Sequence, residues 1–384
     1  MPLSKITAAS ISDNSVTTAK VADDAVTGAK IENNPTIAGN LTVSGNASVT
    51  GDFIPSTSSS TQNILINGDM VTAQRASSST SQGVKTVDRW QQNFSQVAIT
   101  QSQQSTATSD APYQNGFTQY YRMQVTSASS STASYAQIVQ QIEARNILRC
   151  GWNYKSSSSY VTLSFWARSS LAGTYQAFLF TVDMSPNKIR SNTFTLAANT
   201  WTKIELSYQG DSSLTIDNNT DAGMLLYIVP HYGTDFTGSN ANTSTWYALT
   251  GSDYMIDFPQ NWGSTNGRTF DVTGCQLEVG QSATPYKAET FQENLMRCQR
   301  YYETCMINSQ GYVNGQQHVG WGTQWKVTKR NATYTVTKTV DAQNNTNSDY
   351  NEHRKDADGV HGYITASGAG NWYYYTDLIC DNEF

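Results

Sequence analysis

Short apolar runs recur along the middle of this chain, at residues 97–99, 120–125, 135–142, 160–167, 175–182, 193–196, 201–207, 224–229, 246–249 and 270–279. Clusters of Ser, Asn and Gly separate them. Several short strands at this spacing predict an all-β sandwich. In the last run, Phe270-Asp271-Val272-Thr273 and Cys275-Gln276-Leu277-Glu278-Val279 alternate apolar and polar, the period-2 pattern of a half-buried strand. A short helix is expected around residues 142–148, closed by Cys150-Gly151-Trp152-Asn153.

The pattern changes after residue 280. Gly280 stops the strand, and Pro285 forces an extended or turn backbone before it. Thr290 stands three residues before Glu293, a capping box in which hydroxyl and carboxylate each take an orphan amide. Phe291, Leu295, Cys298 and Tyr302 follow at spacings of 4, 3 and 4 and predict one apolar helical face. Beyond the helix, strands are expected at 319–327, 333–340, 363–366 and 372–379, with a polar run at 341–361. These segments predict a second, smaller β domain over 291–384.

Residues 1–62 follow another rule. Ile6, Ile11, Val16, Val21, Val26 and Ile31 recur every five residues, and 11–20 and 21–30 are near-copies of one decapeptide. A fixed short period signals a repeat architecture. One small apolar residue in five cannot build a core within a single chain, so the pattern implies further copies around a shared axis. A disordered leader is the alternative, and the regular spacing of β-branched residues argues against it.

Composition narrows the class. Of the 384 residues, 38% are apolar and only 14% charged, and Ser, Thr, Asn, Gln and Gly fill most of the rest. Ser, Thr and Asn compete with helical backbone bonds and favour strands and turns. A net charge of −6 without a Lys/Arg cluster argues against nucleic-acid binding. No signal-peptide core or membrane-length apolar run is present, so synthesis in the cytosol and release by lysis or particle assembly are expected. The five widely spaced cysteines read as small buried hydrophobes.

Two stretches carry a family resemblance. LEVGQSATPYKAETFQENLMRCQRYYET (277–304) resembles a junction common in bacteriophage tail fibre and receptor-binding proteins, where a jelly-roll domain ends and a helix begins. Asn63-Ile64-Leu65-Ile66-Asn67-Gly68-Asp69-Met70, then Gln74-Arg75, then Asp88-Arg89-Trp90, resembles the opening of the same domain. The resemblance implies a homotrimeric fibre: a virion-anchoring stalk and linker over 1–62, a jelly roll over 63–290, and a helix plus distal β domain over 291–384. It implies a virion location, made in the host cytoplasm, and another tail or virion protein as partner at the N-terminus. Asp88-Arg89-Trp90 would be an Arg–Asp pair beside a buried Trp. Asn67-Gly68-Asp69 also resembles the opening of carbohydrate-binding jelly rolls, in which first- and last-strand oxygens often hold a structural Ca²⁺. Asp69 and Asp271 are the corresponding candidates, the alternative being a plain turn; no other cofactor is expected.

For glycan binding, Trp372-Tyr373-Tyr374-Tyr375 is the densest aromatic cluster. Aromatic faces stack on sugar rings, and Tyr hydroxyls bond their edges. In a strand, Trp372 and Tyr374 share one face and Tyr373 and Tyr375 the other, so at least one pair should be core. Trp262 and the pair His231-Tyr232, expected in jelly-roll loops, are secondary candidates. The charged run Glu352, His353, Arg354, Asp356, Asp358 and His361 is expected as a solvated tip loop and a candidate for host contact. Catalytic signatures such as GxSxG or a P-loop are absent. The expectation is a non-enzymatic adhesin that attaches a virion to a host surface polysaccharide, with neither nucleic-acid binding nor membrane insertion. A structural head or neck decoration fibre is the alternative, and a glycan depolymerase a third reading.

Overall fold

The computed structural model describes residues 63–346 and 351–384, and the stalk expected over 1–62 lies outside the described residues. All described residues belong to one compact unit, Thr57–Phe384. Among the described residues, eighteen strands and three short α-helices make it up. The larger part holds β1 (Ser78–Ser79), β2 (Gln91–Ser95), β3 (Ala98–Ser105), α1 (Ala111–Gln114), β4 (Gln119–Ser127), β5 (Tyr135–Glu143), α2 (Ala144–Arg149) and β6 (Tyr160–Ser169). It continues through β7 (Gly173–Thr181), β8 (Lys188–Leu196), β9 (Thr202–Gln209), β10 (Ala222–Tyr232), β11 (Tyr247–Ala248) and β12 (Thr269–Val279).

These strands form two six-stranded antiparallel sheets, β1-β3-β4-β12-β6-β9 and β11-β8-β7-β10-β5-β2. They make a jelly-roll β-sandwich. Its core follows from alternation: Met224, Leu226 and Ile228 of β10 point inward, as do Tyr175, Ala177 and Leu179 of β7. The residues between them are apolar too. Phe178, Tyr227 and Val229 lie on the outer face of the second sheet and pack in a separate aromatic cluster with Tyr232, Phe236, Met255 and Tyr254. The segment 233–258 therefore covers that sheet, which is why β10 reads as a nearly continuous apolar run.

The chain enters the sandwich beside its last strand. The Asn63 side chain donates to Cys275 O (2.9 Å) and accepts from Leu277 N (3.0 Å), and Ile64 N donates to Leu277 O (2.9 Å). Gly68 presses on the same strand. A Cβ there would lie 2.0 Å from Cys275 O, so only glycine fits.

The elbow is closed by Glu278, whose carboxylate accepts from Thr284 N (2.8 Å), Thr284 Oγ1 (2.6 Å) and Gln276 Nε2 (2.8 Å). Helix α3 (Phe291–Gln299) then starts at Thr290, with both arms of the capping box formed. Its buried side differs from the apolar stripe expected. Cys298 is buried as expected, but Phe291 is exposed, and Asn294 and Gln299 are buried in addition. Asn294 is tolerated there because its amide is satisfied: it donates to Asp69 Oδ1 (2.9 Å) and accepts from Thr72 Oγ1 (3.2 Å). Tyr302 belongs to the next strand, not to the helix.

The smaller part is a second sandwich. Its strands are β13 (Tyr302–Val313), β14 (Gln317–Gln324), β15 (Thr335–Asn344), β16 (Asn351–Asp356), β17 (Gly359–Ala366) and β18 (Gly370–Asp381). Sheets β13-β18-β15 and β14-β17-β16 enclose Trp321, Trp325, Ile364, Trp372, Tyr374 and Leu378. The polar run at 341–361 contributes the end of β15, all of β16 and the start of β17. Asp356 Oδ1 accepts from Asp358 N (3.0 Å) and Gly359 N (3.1 Å), a side-chain-closed turn that makes residues 351–366 a hairpin. Among the described residues no helix is long and apolar enough to cross a membrane.

Candidate functional site

The outer face of sheet β13-β18-β15 is built by strand alternation. In the central strand β18, Trp372, Tyr374, Thr376 and Leu378 point into the core, and Asn371, Tyr373, Tyr375 and Asp377 point out. Register sets their neighbours. On β13, Tyr312, Gln310, Asn308 and Met306 lie opposite Asn371, Tyr373, Tyr375 and Asp377; on β15, Asn344 and Ala342 lie opposite Tyr373 and Tyr375. The Tyr373 and Tyr375 rings stack at 5.3 Å between centroids and 18° between planes. Tyr375 OH donates to Gln310 Oε1 (3.1 Å). Tyr312 (66% exposed), Met306 (65%) and Tyr373 (36%) are among the most exposed large apolar side chains described. The result is a flat aromatic strip edged by amides and hydroxyls. It offers π-faces to an apolar ring and hydrogen-bonding groups to its rim.

Other candidates are repositioned. Trp372 and Tyr374 are buried and offer no face to a ligand. Trp262 is fully buried, with its indole N–H donated to Thr269 O (3.2 Å). His231 and Tyr232 lie not in a loop but at the end of β10, both buried. Burial pushes the His231 imidazole pKa down to about 4, and its Nε2 lies 2.7 Å from Ser134 Oγ. Tyr232 OH is held by Gln137. None of these three can stack on a sugar.

The charged run is likewise a hairpin rather than a tip loop. Its turn packs on the 325–329 segment: Trp325 N donates to Asp358 O (2.9 Å), Lys329 N to Ala357 O (2.8 Å), and Thr328 Oγ1 to Asp358 Oδ1 (2.7 Å). Glu352, His353 and Arg354 remain exposed on the edge strand β16, where Glu352 pairs with Lys355 (3.4 Å) and Arg354 with Asp356 (3.1 Å). His361 sits on the central strand β17, its ring over Gly322, where a Cβ would approach within 2.3 Å.

The calcium reading fails at Asp271. Its carboxylate is fully buried and clasped by two guanidiniums, Arg122 Nε (2.7 Å) and Nη2 (2.9 Å), and Arg168 Nε (3.0 Å). Two fixed positive charges repel a cation. Asp69 instead accepts from Asn294, and burial pushes its carboxyl pKa up, towards the neutral form. Among the described residues no three His, Cys, Asp or Glu side chains converge as metal ligands.

The remaining motif residues meet at the junction between the two sandwiches. Asp88 pairs with Arg75 (3.2 Å), not with Arg89. Arg89 pairs with Glu383, donates to Gln141 O (2.6 Å), and lies 3.5 Å above the Tyr301 ring. Arg75 lies 3.7 Å above the Tyr302 ring. Glu143, at the end of β5, accepts from Arg300 (2.8 and 3.0 Å) and from Tyr301 OH (2.5 Å). Arg297 Nη2 donates to Asn63 O and Leu65 O, 3.0 Å each. Stacked arginines and buried ion pairs thus hold the helix and both sandwiches in one arrangement. Tyr312 and Gln310 had no local motif to mark them, since their role follows from pairing with a strand sixty residues later.

No family model and no curated protein matches this sequence. Among solved structures the chain is similar to the enzymatically active domain of tailspike protein 4 of bacteriophage CBA120 (12% identity, TM-score 0.31), with 58% of this chain and 22% of that one covered. It thus spans about a fifth of that tailspike's length. A putative sugar binding protein from Bacteroides thetaiotaomicron (11% identity, TM-score 0.31) is matched over 57% of this chain and all of its own. A cyclase from Fischerella sp. (9% identity, TM-score 0.34) is matched over 58% of this chain and all of its own.

Proposed function

We propose that this protein is a non-enzymatic, trimeric bacteriophage fibre that attaches a virion to a host cell-surface glycan. The exposed strip of Tyr312, Tyr373 and Tyr375, edged by Asn308, Gln310 and Asn344, carries the reading. A flat aromatic surface bordered by amides suits a sugar ring, whose faces are apolar and whose rim is hydroxylated. Two further observations support it: the resemblance of both ends of the sandwich domain to phage fibre junctions, and the five-residue repeat from Ile6 to Ile31, which suits a shared three-chain axis. Three such strips per fibre would turn a weak site into firm attachment through avidity.

The test uses the full-length protein, fluorescently labelled, on competent host cells before and after periodate oxidation of surface glycans. Binding should fall on oxidation and in a Tyr373→Ala/Tyr375→Ala variant that still assembles. Adhesion that survives both treatments would overturn the proposal.

A further inference from the structure

A second concave site lies away from the aromatic strip, where the sandwich meets helix α3. It is a cleft of about 490 Å³. Two helices line it, and two arginines come from each helix or its cap. Arg145 and Arg149 sit four apart on α2, and Arg297 on α3 is followed three residues later by Arg300 at the C-cap, in helical conformation. Residues at those spacings share a helix face, so both pairs turn toward the same space.

The four arginines are not equivalent. Arg300 is neutralised by Glu143 and Arg297 by Glu289. Arg145 and Arg149 form no side-chain hydrogen bond or ion pair with the described residues, and both reach solvent. Among the described residues lining the cleft, Glu143 is the only carboxylate, and its oxygens are occupied by Arg300 and Tyr301. The cleft therefore holds two uncompensated positive charges on a chain whose net charge is −6. The amide of Asn146, between the two free arginines in sequence, adds donors and an acceptor at the rim. Concave low-dielectric walls focus such a field and raise the local concentration of anions.

We infer that this cleft binds an oxyanion, a carboxylate or phosphate held by the guanidiniums of Arg145 and Arg149; that the anion is carried by a saccharide rests on the glycan-binding function proposed above. A guanidinium is a planar fork that matches either oxyanion bidentately, and Arg297 and Arg300 are already fixed by their own partners as a rigid back wall. The cleft is separate from the strip of Tyr312, Tyr373 and Tyr375, so either site can fail without the other.

The experiment is calorimetric titration of the full-length protein with trigalacturonate, glucose 6-phosphate and neutral cellotriose, at low and physiological salt. At least one anionic probe should bind, more weakly at higher salt, while cellotriose does not bind here. Galacturonate binding would assign the site to acidic sugars, and glucose 6-phosphate binding to phosphorylated ones. An Arg145→Gln/Arg149→Gln variant should weaken binding about tenfold or more with an unchanged melting curve, because neither side chain contributes to a core. Tyr373→Ala should leave this binding unaltered. Absence of binding by both anions, cellotriose binding that is lost in the Arg145→Gln/Arg149→Gln variant, or undiminished anion binding by that variant would overturn the inference.

Discussion

Replacing Lys329 with Met should unlock the base of the smaller sandwich. Lys329 and Glu303 form an ion pair of 2.6 Å in which both side chains are 0% exposed. Lys329 Nζ also donates to Gln299 O (2.5 Å), the last residue of α3, and Glu303 Oε1 accepts from Lys326 N (2.9 Å). The pair thus ties helix end, first strand and the 325–329 segment together. Burial pulls the Lys329 pKa down, and Glu303 pushes it up. Lys329→Met strands the Glu303 carboxylate with one backbone donor. Breaking a buried pair in this way costs about 3–5 kcal/mol, a large part of the ~5–15 kcal/mol that holds a typical domain folded. Glu303→Leu/Lys329→Met removes both charges and leaves only the Lys326 amide and Gln299 carbonyl unpaired, at about 1–3 kcal/mol each. The double variant should therefore be less destabilised than the sum of the singles by several kcal/mol. Urea denaturation followed by tryptophan fluorescence measures this, since Trp325 lies 5.3 Å from the ammonium. A Lys329→Met effect below about 1 kcal/mol, or strict additivity in the cycle, would refute the reasoning.

Two further outcomes follow from buried groups. His231 has its pKa lowered by burial to about 4 from an ordinary 6.5, so the fold favours the neutral ring. Its contribution is fully present above pH 6.5 and is lost as pH falls through 4, by up to roughly 3 kcal/mol; thermal melts from pH 7 to 4 should show a shallower acid decline in His231→Gln, and parallel curves would refute this. Gly68→Ala should destabilise by about 1–3 kcal/mol, because its methyl would meet the Cys275 carbonyl rather than a movable side chain; an unshifted denaturation midpoint would show that the strand gives way freely.

What could be read from the sequence was what local chemistry decides. The Thr290–Glu293 capping box needs only residues three apart, and it forms as expected. The period-2 runs locate most strands for the same reason. The alternation at 372–375 divides the aromatics into two faces but cannot say which is inner, because that depends on where β14 and β17 close the core. Tyr232 looks like an exposed loop aromatic only if the outer face of the sandwich is bare, and residues 233–258 cover it; Trp262 packs instead in the core between the sheets, and the neighbouring Gly263 lies against the His231 ring. Asp88 and Arg89 are adjacent and opposite in charge, yet Arg89 takes a φ of +72° and its side chain parts from that of Asp88. Its partner Glu383 is nearly three hundred residues away and has no local signature.

The entry of the chain beside its own exit has a mechanical consequence. Asn63 is bonded at once to the last strand of the larger sandwich and, through Arg297, to helix α3. A pull applied between the chain before Asn63 and the smaller sandwich need not pass through the strands of the larger one. The short path from Asn63 through Arg297 to α3 carries the load, and the jelly roll hangs beside it as a side branch. Traction on the smaller sandwich would then shear a handful of charge-assisted bonds before it peels a single strand from either sheet.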